Sequence, residues 1–184
     1  MLTPQDFLVR SLGECRYDSP LNFESTSRRE GSPFVSDSDR VRLDVMLRPE
    51  SVETEPLSLE IAGPRQRIFF QPDKTTAAIV TCGGLSPGLN NVIRSAYYEL
   101  FENYGVHRVL GIRNGYLGLN PESGLQPIPL TKEFVEPIDK LGGTVLASSR
   151  GPQEPAVMAD FLQANGIRKP FHYGRKANTR IPIK

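Results

Sequence analysis

From Gln71 onward, apolar and polar positions alternate between the periods of strand and helix. Residues 75–82, TTAAIVTC, form an apolar run closed by Gly83-Gly84, which predicts a buried strand entering a tight turn. Over residues 89–104, Leu89, Val92, Ile93, Ala96, Leu100 and Phe101 recur at helical spacing, and Gly105 follows as a natural stop. HRVLGI (107–112) predicts a second strand and TVLASS (144–149) a third. Between them lie a glycine-rich loop, NGYLGLNPESG (114–124), and a short helix in EFVEPIDKLGG broken near Pro137. PAVMADFLQANG predicts a last helix ending at Gly166. Strand and helix alternate, which predicts an α/β domain with a parallel sheet.

The first 70 residues follow neither period for long. LNFESTSRREGSPFVSDSDR is polar and turn-rich, while VRLDVML (41–47) and LSLEIAG (57–63) alternate enough to form short strands. An ordered arm and a partly disordered leader both remain open. The expected organisation is an N-terminal extension over 1–70, a domain over 71–166 and a tail over 167–184.

Composition adds loops and a charge asymmetry. Glycine and proline, 16 of each, exceed ordinary usage and give a loop-rich globular chain. The net charge of +1 hides an uneven distribution. Arg168, Lys169, Arg175, Lys176, Arg180 and Lys184 fill the end of the chain, where no acid occurs, so the preceding part is net acidic. The net charge itself says nothing of a nucleic-acid or membrane partner; neither is expected, and no apolar run approaches membrane-spanning length. Cys15 and Cys82 have no metal or redox spacing and suit a reducing compartment, so a cytoplasmic location is expected.

The chemistry concentrates in GGLSPGLNN (83–91), between strand and helix. Paired glycines allow positive φ and a close backbone approach, Pro87 fixes the chain at the helix entrance, and the helix start attracts an anion. Gly83 and Gly88 have the outer spacing of a P-loop, but Leu89 and Asn90 stand where that motif needs Lys and Ser/Thr. The dinucleotide fingerprint is absent as well. A phosphate site of another kind and a tight turn without a ligand both remain open on these grounds.

GGLSPGLNNVIR closely resembles the first glycine motif of the phosphofructokinase family: Gly-Gly, two variable residues, Pro-Gly, one residue, Asn, then Ile-Arg. GIRNGYLGL (111–119) is similar to that family's second strand and Gly-Tyr loop, and GGTVLASSRGP (142–152) to its Gly-Gly-Thr…Ser-x-Arg segment. The Leu-Ser loop, the SRGP ending and a leader with LGECR and AGPRQRIFF resemble the subgroup with an N-terminal extension. The resemblance covers most of residues 1–167. It implies a Rossmann-like parallel sheet with flanking helices, an incomplete phosphofructokinase nucleotide-binding lobe. It implies transfer of a phosphoryl group from ATP to the 1-hydroxyl of fructose 6-phosphate in glycolysis, with Mg²⁺, by a homo-oligomer. A pyrophosphate donor and a non-catalytic phosphate-binding fragment are the alternatives.

Carried over position by position, the resemblance sets Gly84 against the nucleotide phosphates with Gly83 enabling the turn. Arg150 would contact the phosphates, Gly151 would line the same pocket and Tyr116 would border the nucleotide. Ala147 stands where the family usually has glycine. After Gly166 the resemblance stops: IRKPFHYGRKANTRIPIK offers no long apolar strand and no Gly-Gly-Asp-Gly or Thr-Ile-Asp-Asn-Asp segment, so the metal ligands and catalytic base are expected elsewhere. No catalytic or metal residue is assigned, a truncated or frameshifted product is expected, and so is an absence of turnover by this chain alone.

Overall fold

The computed structural model describes residues 3–9, 11–22, 34–44 and 57–174, and for 168–174 the backbone only. Most of the polar segment 21–40, positions 45–47 of an expected strand and the basic stretch 175–184 lie outside the described residues. The chain divides into two compact units, Met1–Phe70 and Gln71–Lys184.

The first unit is built from short antiparallel pairs. β1 (Tyr17–Asp18) pairs with β4 (Arg67–Ile68), and β2 (Arg40–Arg42) with β3 (Ser58–Glu60), Val41 opposite Leu59. Strands this short bury little, so side chains add ties. The Arg65 guanidinium reaches Glu60 at 3.0 Å, Asp37 at 3.3 Å and the carbonyls of Ser36 and Ile61.

The second unit is organised around β5 (Thr76–Cys82), the apolar run expected as a buried strand. β6 (Arg108–Ile112) lies parallel on one side, in register from Thr76 opposite Arg108 to Val80 opposite Ile112. β7 (Ile128–Pro129) runs antiparallel outside β6, and β8 (Ile167–Gly174) runs parallel on the far side of β5. The spatial order is therefore β7-β6-β5-β8. Helix α1 (Leu89–Tyr98) joins β5 to β6; α2 (Lys132–Val135) and α3 (Pro155–Ala164) lie in the long connection to β8. A strand in a buried sheet presents alternate residues to opposite faces. Accordingly Ala77, Ile79 and Val109 join Ile93, Tyr97, Val135 and Ile138 in one core, on the side of α1. Ala78, Val80, Leu110 and Ile112 join Met158, Phe161 and Leu162 in a second core, on the side of α3. Helices cover both faces, as expected.

Three details depart from the sequence pattern. Residues 144–149 form no strand. Leu146 is a single buried anchor there, and the neighbouring backbone groups bond to turns and side chains instead of a ladder. The strand on that side of β5 is residues 167–174, part of the expected tail. Its place rests on backbone pairing with β5, in a register where Pro170 stands opposite Ala78, more than on an apolar composition. The buried face of α1 is also rotated toward Leu89, Asn90, Ile93 and Tyr97, and Tyr97 stacks on Phe101 with ring centroids 5.4 Å apart. Beyond Tyr98 the helix widens into a π turn (Glu99–Asn103) and stops at Gly105, φ +71°. No helix among the described residues is long and apolar enough to cross a membrane.

Candidate functional site

The chain leaves β5 for β6 on one side and later returns to place β8 on the other. The carboxyl end of β5 is thus a topological switch point, where doubly wound sheets open a crevice. Gly83-Gly84 begins there. Gly83 (φ +89°) and Gly88 (φ +88°) both adopt the left-handed backbone that glycine takes without steric cost. Between them Gly84, Leu85, Ser86 and Pro87 face solvent. Gly88 is the N-cap of α1 and has no side chain to cap the first-turn amides, while its carbonyl accepts the Val92 N–H at 3.0 Å. The helix thus starts with N–H groups available to an anion.

Residues 141–149 form the second wall, and polar groups join it to the glycine loop. Ser148 Oγ donates to the Gly83 carbonyl at 2.7 Å, and the Gly83 N–H reaches the Ser149 carbonyl at 3.4 Å. Thr81, buried at the end of β5, donates its hydroxyl to the Ala147 carbonyl at 2.8 Å and lies 3.1 Å from Thr144 Oγ1. Asn90, 2% exposed in the first turn of α1, uses both ends of its amide. Its Nδ2 donates to the Leu141 carbonyl and its Oδ1 accepts from the Val145 N–H, each at 2.8 Å. Asn114, which opens the Gly-Tyr loop, donates its N–H to the Leu146 carbonyl at 2.8 Å. Gly115 (φ +58°) sits so close that a Cβ would meet Ser149 N, Ser149 Oγ and the Thr81 carbonyl at 3.0–3.1 Å.

This stitching places Gly83, Gly84, Arg150 and Gly151 in two joined segments. Gly84, Arg150 and Gly151 are exposed. No atom lies within 4 Å of where a Cβ would stand on Gly84 or Gly151, so space beside both is open. Tyr116 is not brought to that surface. It is buried in the second core, where its side chain and backbone approach the Cys82 thiol. Burial pushes the Cys82 thiol up to about 11, an effect only partly offset by hydrogen bonding with Tyr116, and burial raises the Tyr116 phenol as well. Cys82 is therefore a protonated packing residue behind the loop. Both cysteines are free.

Asn90 and Thr81 carry structural roles that motif reading missed. The signal available was a polar residue next to the apolar stripe of a helix, which only a partner elsewhere in the chain explains. Among the described residues no group of three or more His, Cys, Asp or Glu side chains is placed to hold a metal ion.

A glycine loop at the switch point of a sheet covered by helices on both faces defines a doubly wound α/β protein. The family model described as Phosphofructokinase matches residues 76–174, and the chain belongs to the phosphofructokinase family. The match runs through β8, eight residues beyond the point where the motif resemblance stops. The chain is 44% identical over 179 residues to the ATP-dependent 6-phosphofructokinase of Amycolatopsis methanolica, covering 95% of this chain and 39% of that protein. It is 41% identical over 170 residues to that of Borreliella burgdorferi, covering 92% and 38%. A solved phosphofructokinase of Pichia pastoris in the T-state aligns at 19% identity with a TM-score of 0.47, covering 66% of this chain and 14% of that one. The chain thus spans under two-fifths of the length of these two curated relatives.

Proposed function

We propose that the chain supplies the donor-phosphate half of a 6-phosphofructokinase site. In that reading the reaction transfers the γ-phosphoryl group of ATP to the 1-hydroxyl of fructose 6-phosphate. The observation that carries it is the joining of two family motifs at the switch point: the open Gly83–Gly88 loop and the Ser148–Gly151 segment bonded to it. ATP is favoured over pyrophosphate because the two curated relatives above are named ATP-dependent.

Phosphoryl transfer asks a protein mainly to position the phosphates and to spread their charge. Gly84 lets the backbone approach, the start of α1 adds N–H groups and a positive dipole end, and the Arg150 guanidinium provides a permanent charge with several donors. Gly83 supplies the turn and Gly151 keeps the neighbouring wall free of side chain. Tyr116 supports the floor from behind. Mg²⁺, a homo-oligomeric assembly and a cytoplasmic setting belong to the same family-level reading. The residues described here bind and orient phosphate; no metal ligand or catalytic base is assigned among them.

A coupled kinase assay on the purified chain, run beside an ATP-binding measurement, tests this. Weak ATP binding without turnover is expected. Turnover would overturn the half-site reading, and a complete lack of binding would overturn the phosphate-holding role.

A further inference from the structure

We propose that Asn90 is a positioning residue that sets the Arg150 segment against the glycine loop, so that a ligand meets both walls already in place. This rests on the phosphate-holding reading above. Asn90 sits in the first turn of α1, immediately after the loop. Its side chain is almost wholly buried and spends donor and acceptor on two backbone groups four residues apart, the Leu141 carbonyl and the Val145 N–H. From there the chain has little freedom before Arg150. Leu146 N–H bonds to Thr144 Oγ1, Ala147 N–H to the Thr144 carbonyl, the Ala147 carbonyl to Thr81, and Ser148 Oγ to Gly83.

These bonds are not a sheet ladder. Without a ladder, the segment is held by the buried Leu146, by backbone bonds with Asn114 and Gly83 and by side-chain partners, of which Asn90 comes from the helix whose N-terminus faces the site. A buried amide with both ends satisfied is geometrically exacting, because losing it leaves the Leu141 carbonyl and the Val145 N–H without that bond. Asparagine is short enough to remain in the first turn and still reach two backbone groups. The sequence therefore uses a polar residue on a buried helix face, where an apolar one would pack, to couple the helix start to the arginine segment.

The test combines two readouts on the full chain. Native-state amide exchange is measured without ligand for wild type, Asn90→Ala and the core variants Leu162→Val and Leu162→Ala, which lower stability from the opposite core, to which Val145 and Leu146 do not belong. The proposal expects Asn90→Ala to accelerate exchange at Val145, Leu146, Ala147 and Gly83 beyond what the core variants cause. Binding of inorganic pyrophosphate and of ATP is then followed by amide chemical shifts in wild type, Asn90→Ala, Arg150→Ala and the double variant. Loss of an outer partner is expected to weaken binding about tenfold. That loss should vanish in the Arg150→Ala background, because Asn90 acts through Arg150.

Exchange that rises no more than in the core variants, or an equal binding loss with and without Arg150, overturns the proposal. If wild type binds neither probe, the phosphate-holding reading fails, and the exchange comparison still decides whether Asn90 orders the segment. Should Asn90→Ala not fold, Asn90→Asp keeps the acceptor for the Val145 N–H and loses the donor to Leu141. It is then expected to free the Leu141 end alone, and unchanged exchange throughout would contradict the proposal.

Discussion

Replacing Ala147 by glycine should stabilise this protein, although glycine normally weakens a fold. Ala147 has φ +56°, one of two non-glycine residues with positive φ among the described residues. For an L-residue the left-handed region costs about 1–2 kcal/mol. Glycine removes that cost but brings back unfolded-state freedom worth about 0.4–1 kcal/mol. The Ala147 side chain is exposed, so deleting its methyl forfeits little burial. Both backbone bonds survive the change: the N–H to the Thr144 carbonyl at 3.1 Å and the carbonyl from Thr81 Oγ1 at 2.8 Å. The balance is a gain of about 0.5–1 kcal/mol. With a urea slope of about 2 kcal/mol/M, the midpoint should rise by about 0.3–0.5 M at unchanged slope. Urea unfolding followed by far-ultraviolet circular dichroism measures this directly. A lowered midpoint would refute the reasoning, since it would mean that Ala147 does not hold the strained conformation in solution.

Gly115→Ala acts in the opposite sense. It combines φ +58° with contacts of 3.0–3.1 Å to backbone and hydroxyl atoms, so a loss of about 2–3 kcal/mol is expected by thermal or urea unfolding. Raising the pH should weaken the fold through Cys82. The folded thiol ionises only near 11 and the unfolded thiol near 9.0, so stability holds below pH 9 and declines between 9 and 11. A urea midpoint measured across that range should fall less in Cys82→Ala. Arg150→Ala should weaken ATP binding and flatten its dependence on salt while leaving the urea midpoint unchanged, because the arginine is exposed.

Much of the second unit was legible because its signals are local. The run 75–82 is apolar without interruption, and α1 opens after a glycine and ends before Gly105, so pattern and punctuation agree. Residues 144–149 misled because Val145 and Leu146 look like strand residues. Their backbone partners, Asn90 and Asn114, lie far away in sequence and leave no mark on the segment itself. β8 was hidden for the converse reason. Its place beside β5 is fixed by backbone pairing, which composition does not reveal. At the site, the glycine loop and the Arg150 segment were readable as motifs. Their joining was not, since it depends on Thr81, Asn90 and Ser148 reaching across more than 50 residues. The ring of Tyr116 packs into the second core, a placement that the Gly-Tyr motif alone does not reveal.

The central claim is that the loop after β5 and the segment ending at Gly151 hold phosphate together. Titrating the ¹⁵N-labelled chain with ATP tests it most directly. The account predicts weak, saturable shifts confined to the amides of residues 83–91 and 148–151. Shifts that cluster elsewhere, or none at saturating ATP, would contradict it.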